Sequence, residues 1–143
     1  MPTKILAVTA LTASLLMSAP LRAHHLFKAE FDSSKPVLLE GTVTKLEWIN
    51  PHSRIHLDVS EPNGALTSWL VECASLGMMQ RTGLTRAADV GSQITVQGFQ
   101  SKDRPHTAGA TNIVKGAQSF LIPVQEGLDG RTIVKTRTAS EKR

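Results

Sequence analysis

Hydrophobic and polar residues alternate along several short stretches of this chain, with the period of two that is typical of β-strands. In residues 53–60, the apolar side chains of Ile55, Leu57 and Val59 share one face, and polar side chains occupy the other. The other predicted strands are residues 38–49, 67–74, 93–100, 110–114, 119–124 and 131–134. The side chains expected inside the fold are Ile55, Leu57, Val59, Trp69, Val71, Ile94 and Val96.

The pattern changes between the third and fourth predicted strands, at residues 75–91. Ser75 is a suitable N-cap for a short helix, and Gly83 is a suitable residue to end it. The order is therefore three strands, a helical segment and then further strands. Because a small antiparallel set of strands has to protect its edges, closure into a barrel is favoured. The sequence predicts a mostly β fold, a small antiparallel barrel of the oligonucleotide/oligosaccharide-binding (OB) type with one short helix. A small β-sandwich is the alternative.

The two ends of the chain differ in composition from its middle. Lys4 precedes an uncharged run at residues 5–19, which is too short to span a bilayer because that needs about 20 apolar residues. A positive start, an apolar run and small residues before a break are typical of a secretory signal peptide, with cleavage expected after Ala23. The protein is therefore expected in a periplasm or outside the cell. The predicted divisions are a signal peptide at 1–23, an N-terminal arm at 24–36, a β-barrel domain at 37–134 and a basic disordered tail at 135–143.

The charge distribution argues against a nucleic-acid partner. The formal net charge is +4, but the basic excess lies in the two ends, and residues 24–134 are close to neutral. Single-strand binding by barrels of this type uses a basic groove with stacking aromatic side chains, whereas this chain has no tyrosine and only 4% aromatic residues. We therefore expect a metal ion or a small ligand as the partner, with no nucleic acid and no membrane span. The sequence indicates no particular protein partner.

A set of short motifs in the first part of the chain resembles a known family. They are His24-His25 after the signal peptide, the strand Gly41-Thr42-Val43, the turn Trp48-Ile49-Asn50-Pro51-His52, then Trp69, Glu72 and the run Gly83-Leu84-Thr85-Arg86. In these motifs the chain is similar to exported bacterial proteins of domain of unknown function family 6152. Leu26 and Leu84 stand where that family usually has serine and tryptophan. The resemblance implies export, and it carries no established activity.

The histidines carry the clearest candidate chemistry. Cleavage after Ala23 makes His24 the first residue, so that its α-amine and its imidazole can chelate one metal ion. An all-nitrogen ligand set of this kind suits Cu(II), and one more imidazole completes a T-shaped site that resembles the histidine brace of copper-carrying proteins and copper oxygenases. His52, at the Asn-Pro turn, is the expected added ligand, and the adjacent His25 competes as a ligand. The sequence therefore predicts copper at His24, His25 and His52, and a polar chain start without metal is the alternative.

Four further side chains have less specific patterns. His56 shares a strand face with polar residues and is expected to face solvent, while His106 lies in a polar loop. Glu72 is the predicted acceptor that orients a metal-bound imidazole, with an ordinary exposed carboxylate as the alternative. Cys73 is the single cysteine, so it forms no disulfide within the chain and is expected to be a small buried hydrophobe.

Motifs of the common enzyme classes are absent from the sequence. It contains no G-x-S-x-G elbow, H-E-x-x-H helix, C-x-x-C pair or glycine-rich phosphate loop. Binding is therefore favoured over catalysis. The functional prediction is an exported small copper-binding protein. The alternatives are a cell-envelope barrel that binds a ligand or a protein without metal, and a copper-dependent oxidase.

Overall fold

The computed structural model describes residues 27–124. These residues form six β-strands and three short helices. In chain order they are α1 (Phe27–Glu30), β1 (Phe31–Glu47), β2 (Arg54–Ser60), β3 (Leu66–Glu72), α2 (Leu76–Thr82), α3 (Leu84–Ala87), β4 (Gln93–Ser101), β5 (Thr107–Lys115) and β6 (Gln118–Leu121). The predicted signal peptide, His24, His25, the predicted strand at 131–134 and the predicted tail lie outside the described residues.

The strands form one sheet that closes on itself. β1 pairs with β2 on one side and with β4 on the other, β3 follows β2, and β5 follows β4, all in antiparallel pairs. A short parallel pairing of β3 with β5, from Leu70 and Thr107 to Glu72 and Gly109, completes the ring. β6 adds to β5 outside the ring. The predicted mostly β fold is confirmed, and its strand order, with helices between β3 and β4, is the one expected for an OB-type barrel.

The hydrophobic core lies within this ring and extends to β6 and the helices that pack against it. Its buried members come from all six strands and from α2 and α3, and include Leu39, Val43, Ile55, Leu57, Val71, Met79, Leu84, Ile94, Val96, Ala108, Ala110, Ile113 and Phe120. The interior side chains predicted from strand alternation are therefore buried, with two differences. Val59 and Trp69 are only partly buried and pack against the core from its rim.

The helical content exceeds the single short helix of the prediction. Gly83, with a φ of 85°, ends α2 and begins α3, because this left-handed backbone conformation breaks the helical hydrogen-bond pattern without a side-chain clash. The third helix, α1, is one turn at Phe27–Glu30, and β1 begins at Phe31, within the segment expected to be an arm. None of the described helices is long and apolar enough to cross a membrane.

Candidate functional site

The turn between β1 and β2 is hydrogen-bonded to the residues that follow β3 and to the start of α2. The backbone N–H of Ser53 donates to the carbonyl of Ala74 at 2.9 Å, and the N–H of Cys73 donates to the carbonyl of Ser53 at 2.8 Å. The side-chain oxygen of Asn50 accepts a hydrogen bond of 3.1 Å from the backbone N–H of Leu76, the first residue of α2. That bond satisfies a helix N–H that has no partner within the helix. The N-P-H part of the turn is therefore held by hydrogen bonds on both sides.

His52 is half-buried at the end of this turn, with the Nδ1 edge of its ring toward Cys73, which follows β3. Its Nδ1 lies 3.3 Å from the carbonyl oxygen of Cys73. Because a carbonyl oxygen only accepts, this hydrogen bond requires the proton to be on Nδ1. In the neutral ring, Nε2 then carries the lone pair that can bind a metal or accept a hydrogen bond. A backbone carbonyl that receives the second ring N–H is a common partner of metal-binding histidines.

Glu72 is buried at the C-terminal end of β3. Its Oε1 accepts a hydrogen bond of 2.6 Å from the Arg104 guanidinium, which comes from the loop between β4 and β5. The same guanidinium lies 3.8 Å from an oxygen of Glu30 in α1. The hydrogen bond to Glu72 raises the pKa of Arg104 further above its already high usual value. The alternative of an ordinary exposed carboxylate is therefore wrong, and the carboxylate carries an ion pair that sequence analysis missed.

Two cavities meet at His52 and Glu72. The first, called here the apolar cavity, has a volume of about 220 Å³, and its lining is mostly hydrophobic. It is lined by Phe27, Glu30, Phe31, Pro51, His52, Glu72, Cys73, Ala74, Ser75, Met78, Ala110, Pro123 and Val124. The second, called here the polar cleft, measures about 580 Å³ and is lined by Ala29, Glu30, Ile49, Asn50, Pro51, His52, Arg54, Glu72, Ser101, Asp103 and Arg104. Since both linings include Glu30, Pro51, His52 and Glu72, these four residues lie where the cavities adjoin.

The N-terminal side of the apolar cavity is formed by the first described residues. The rings of Phe27 and Phe31 lie 4.6 Å apart, and Phe27 also meets Phe99 edge-on at 6.3 Å. Gly109 makes this packing possible, because a β-carbon at that position would overlap the two rings that cover it, those of Phe27 and Phe31. Phe27 is therefore anchored on the barrel, two residues after His25.

The predicted site residues are thus divided between two parts of the chain. The structure brings His52 and Glu72 to the same cavities, while His24 and His25 lie outside the described residues. Within residues 27–124, no group of three or more histidine, cysteine, aspartate or glutamate side chains is arranged to hold a metal ion.

The other two histidines have partners of their own. His56 places its Nε2 2.9 Å from Oε1 of Glu47 on the neighbouring strand, so it is paired and only partly exposed. His106 meets the ring of Trp69 edge-on at 5.4 Å, and its carbonyl accepts the backbone N–H of Leu70 at 2.9 Å. Because its imidazole is paired with Glu47, His56 is a suitable control for any histidine-dependent binding at His52.

The thiol of Cys73 is buried and lines the apolar cavity, as expected for a small buried hydrophobe. Burial, together with the negative charge of Glu72, raises the pKa of the Cys73 thiol from 9.0 to about 12. The thiolate is therefore disfavoured in the folded protein at neutral pH, which leaves nitrogen and oxygen atoms as the polar groups of this site.

Alkaline pH is expected to lower the stability of the folded protein because of this buried thiol. In the unfolded chain Cys73 ionises near its usual pKa, whereas the folded protein retains the proton until a pH of about 12. Stability is therefore lost as pH rises from 9 toward 12. Between pH 9.0 and 10.5, urea unfolding of the parent should lose about 1–2 kcal/mol relative to Cys73→Ala. The difference between the two proteins should be constant below pH 8, and a constant difference up to pH 10.5 would contradict the burial of the thiol.

Comparison with known proteins places most of this structure in one family. The model of a family described as Family of unknown function (DUF6152) matches residues 13–110, more than half of the chain. The chain belongs to this family. No curated protein and no solved structure matches it.

The DUF6152 match covers the candidate site and most of the ring of strands. His24, His25, His52 and Glu72 all lie within it, as do β1 to β4 and the first residues of β5. β6 lies beyond it. In this DUF6152 chain, the side chain of Asn50 accepts a hydrogen bond from the start of α2, and His52 donates one to the Cys73 carbonyl just after β3.

Proposed function

We propose that this protein is an exported copper-binding protein that holds Cu(II) with the α-amine and imidazole of His24 and the imidazole of His52, and with His25 as an adjacent ligand. The observation that carries the proposal is the geometry at His52. Its Nδ1 proton is directed to the Cys73 carbonyl, which leaves Nε2 as the ligand atom, and its ring borders a cavity that Phe27 also lines.

The position of Phe27 limits how far the proposed N-terminal ligands have to reach. Successive Cα atoms are 3.8 Å apart, so the Cα of His24 lies within about 11 Å of the Cα of Phe27, and that of His25 within about 8 Å. Because Phe27 packs against Phe31 and Phe99 beside the cavity that His52 borders, these distances favour a shared site.

The chemistry of the surrounding groups favours nitrogen ligands and Cu(II). The Cys73 thiol, with its pKa raised to about 12, is a poor thiolate donor, and soft thiolate ligands are the ones that select Cu(I). Glu72 and Glu30 lie beside the single Arg104 guanidinium, so the two carboxylates together leave net negative charge near His52. In the proposed site the Cys73 carbonyl orients the imidazole, and Glu72 stabilises the positive charge of the metal from outside the ligand set.

The experiment is a copper titration of exported protein with its affinity tag at the C-terminus, after intact-mass measurement has verified that the chain begins at His24. The parent should bind one Cu(II), and binding should weaken in acid because protons compete for the same nitrogen atoms. His24→Ala or acetylation of the α-amine should weaken binding by about 100-fold, and His52→Ala by about tenfold, because each removes a nitrogen ligand.

His56→Ala is the matched control, since its imidazole is paired with Glu47, and it should bind copper as the parent does. If His52→Ala also binds as the parent does, the chelate involves the chain start alone and the proposed geometry is wrong. Affinity no better than that of a free histidine peptide, measured on protein that begins at His24, would exclude the proposed function.

A further inference from the structure

We infer that the apolar cavity binds a small neutral aromatic molecule that carries one hydrogen-bond donor, with phenol as the representative, and that His52 Nε2 accepts the hydrogen bond from this donor. This site goes beyond the proposed copper function, because it uses only the described residues and needs no metal. Its walls are hydrophobic, and its polar groups lie where the cavity adjoins the polar cleft.

The size of the cavity sets the size of the ligand. Its volume is about 220 Å³, whereas pockets for drug-sized ligands start at about 300 Å³. In another protein, an apolar cavity of about 150 Å³ holds benzene. A single aromatic ring with one substituent therefore fits, and two fused or linked rings with substituents would be too large.

The shape and chemistry of the walls favour an aromatic ring. Phe27 and Phe31 supply two tilted rings on the side of α1 and β1, and Met78 of α2 supplies a thioether. Aromatic pairs prefer offset or edge contacts, and a thioether packs favourably at a ring edge. Small residues, Ala74 after β3 and Ala110 in β5, leave the space that the ligand would occupy.

The polar groups select a neutral donor over an anion. In the neutral ring, with the Nδ1 proton donated to the Cys73 carbonyl, Nε2 of His52 can only accept. The charged members of the described cavity lining are the carboxylates of Glu30 and Glu72, with no lysine or arginine among them. The Arg104 guanidinium in the adjoining polar cleft lies beside both carboxylates, so an anionic ligand would meet two acidic groups and only one basic group. A ligand that only accepts would displace water from Nε2 without replacing its hydrogen bond, which is costly.

The test is a titration of the metal-free exported protein, in EDTA, with phenol, anisole and benzoate, followed by amide chemical shifts and calorimetry. Phenol should bind once per chain and saturably. Anisole, which has nearly the same shape but no donor, should bind at least about tenfold more weakly, because one hydrogen bond is lost. Benzoate should bind more weakly still.

Two independent substitutions should block the cavity. Ala74→Leu and Ala110→Leu each place a larger side chain in the ligand's space, and each should weaken phenol binding by at least about tenfold. Ala65→Leu is the matched control, since Ala65 is exposed in the turn between β2 and β3 and lines neither cavity. Thermal unfolding identifies any variant that fails to fold, and the comparison of the three ligands on the parent protein needs no variant.

The inference is overturned if the parent shows no saturable phenol binding, if anisole or benzoate binds as tightly as phenol, or if folded cavity variants bind phenol as the parent does. Failure here leaves the copper proposal unaffected, because the ligand titration is done without metal. Failure of copper binding likewise leaves the cavity test intact.

Discussion

Replacement of Leu57 with alanine is expected to lower the free energy of unfolding by about 2–5 kcal/mol. Leu57 lies in the middle of β2, where its neighbours across the sheet are Val43 of β1 and Trp69 of β3. Its side chain is 0% exposed. The substitution removes buried apolar surface and leaves a cavity that strands held by hydrogen bonds on both sides cannot easily fill.

Urea unfolding followed by far-ultraviolet circular dichroism measures this change, with the midpoint expected to fall and the slope to stay the same. Leu66→Ala is the matched control, because Leu66 begins β3 with 66% of its surface exposed. That substitution should change stability by no more than about 0.5 kcal/mol. Equal effects of the two substitutions would mean that Leu57 is not a core residue.

Replacement of Gly98 with alanine is expected to destabilise the protein by about 3 kcal/mol or more. Gly98 lies in β4 between Val37 of β1 and Ala110 of β5, at a point where the register with β5 shifts. A β-carbon there would overlap the carbonyl oxygen of Gly109. Because that oxygen belongs to the backbone of the next strand, relief of the overlap requires two strands of the barrel to move apart.

Gly77→Ala supplies a control with the same chemical change. Gly77 is in α2, and a β-carbon there would meet nothing within 4 Å. Since alanine favours a helix more than glycine does, this variant should be as stable as the parent or more stable by up to about 1 kcal/mol. The two variants can be compared by thermal unfolding in one buffer. Tolerance of Gly98→Ala would show that β4 and β5 do not approach as closely as described.

The strands were predictable because strand alternation is a local property. Ile55 and Leu57 face the core because successive side chains of an extended chain point to opposite faces, and that period is visible in the sequence alone. The position of the helix between β3 and β4 was predictable for the same reason, since Gly83 ends it through its own backbone conformation. The small size and the number of strands then favoured a closed sheet.

The burial of Glu72 could not be predicted in the same way. Strand alternation places Glu72 on the face of β3 opposite Val71. That outer face of β3 is not exposed along its whole length, and Glu72 itself is buried. Arg104, distant in sequence, pairs with Glu72 from a loop, and the same guanidinium lies 3.8 Å from Glu30 of α1. Nothing local to Arg104 in its polar loop indicates which strand the loop will contact.

Only part of the candidate site was predictable, because local sequence patterns indicate a turn and do not indicate contacts between distant residues. His52 was identified from its turn, and the structure gives it a defined tautomer through the Cys73 carbonyl. The apolar cavity beside it was not predicted at all. It depends on Phe27 packing over Gly109 and on the small size of Ala110, contacts between residues about 80 positions apart that have no periodic signature.

The sequence by itself determined which segments are strands, which side chains face the core, where the helical segment lies and which histidine stands at a turn, because each depends on neighbouring residues. Only the tertiary structure decided that β3 and β5 pair in parallel to close the ring, that Arg104 forms an ion pair with Glu72, and that Phe27 and His52 border one cavity. These depend on contacts between residues far apart in the chain, which form only when the whole sheet closes around its core.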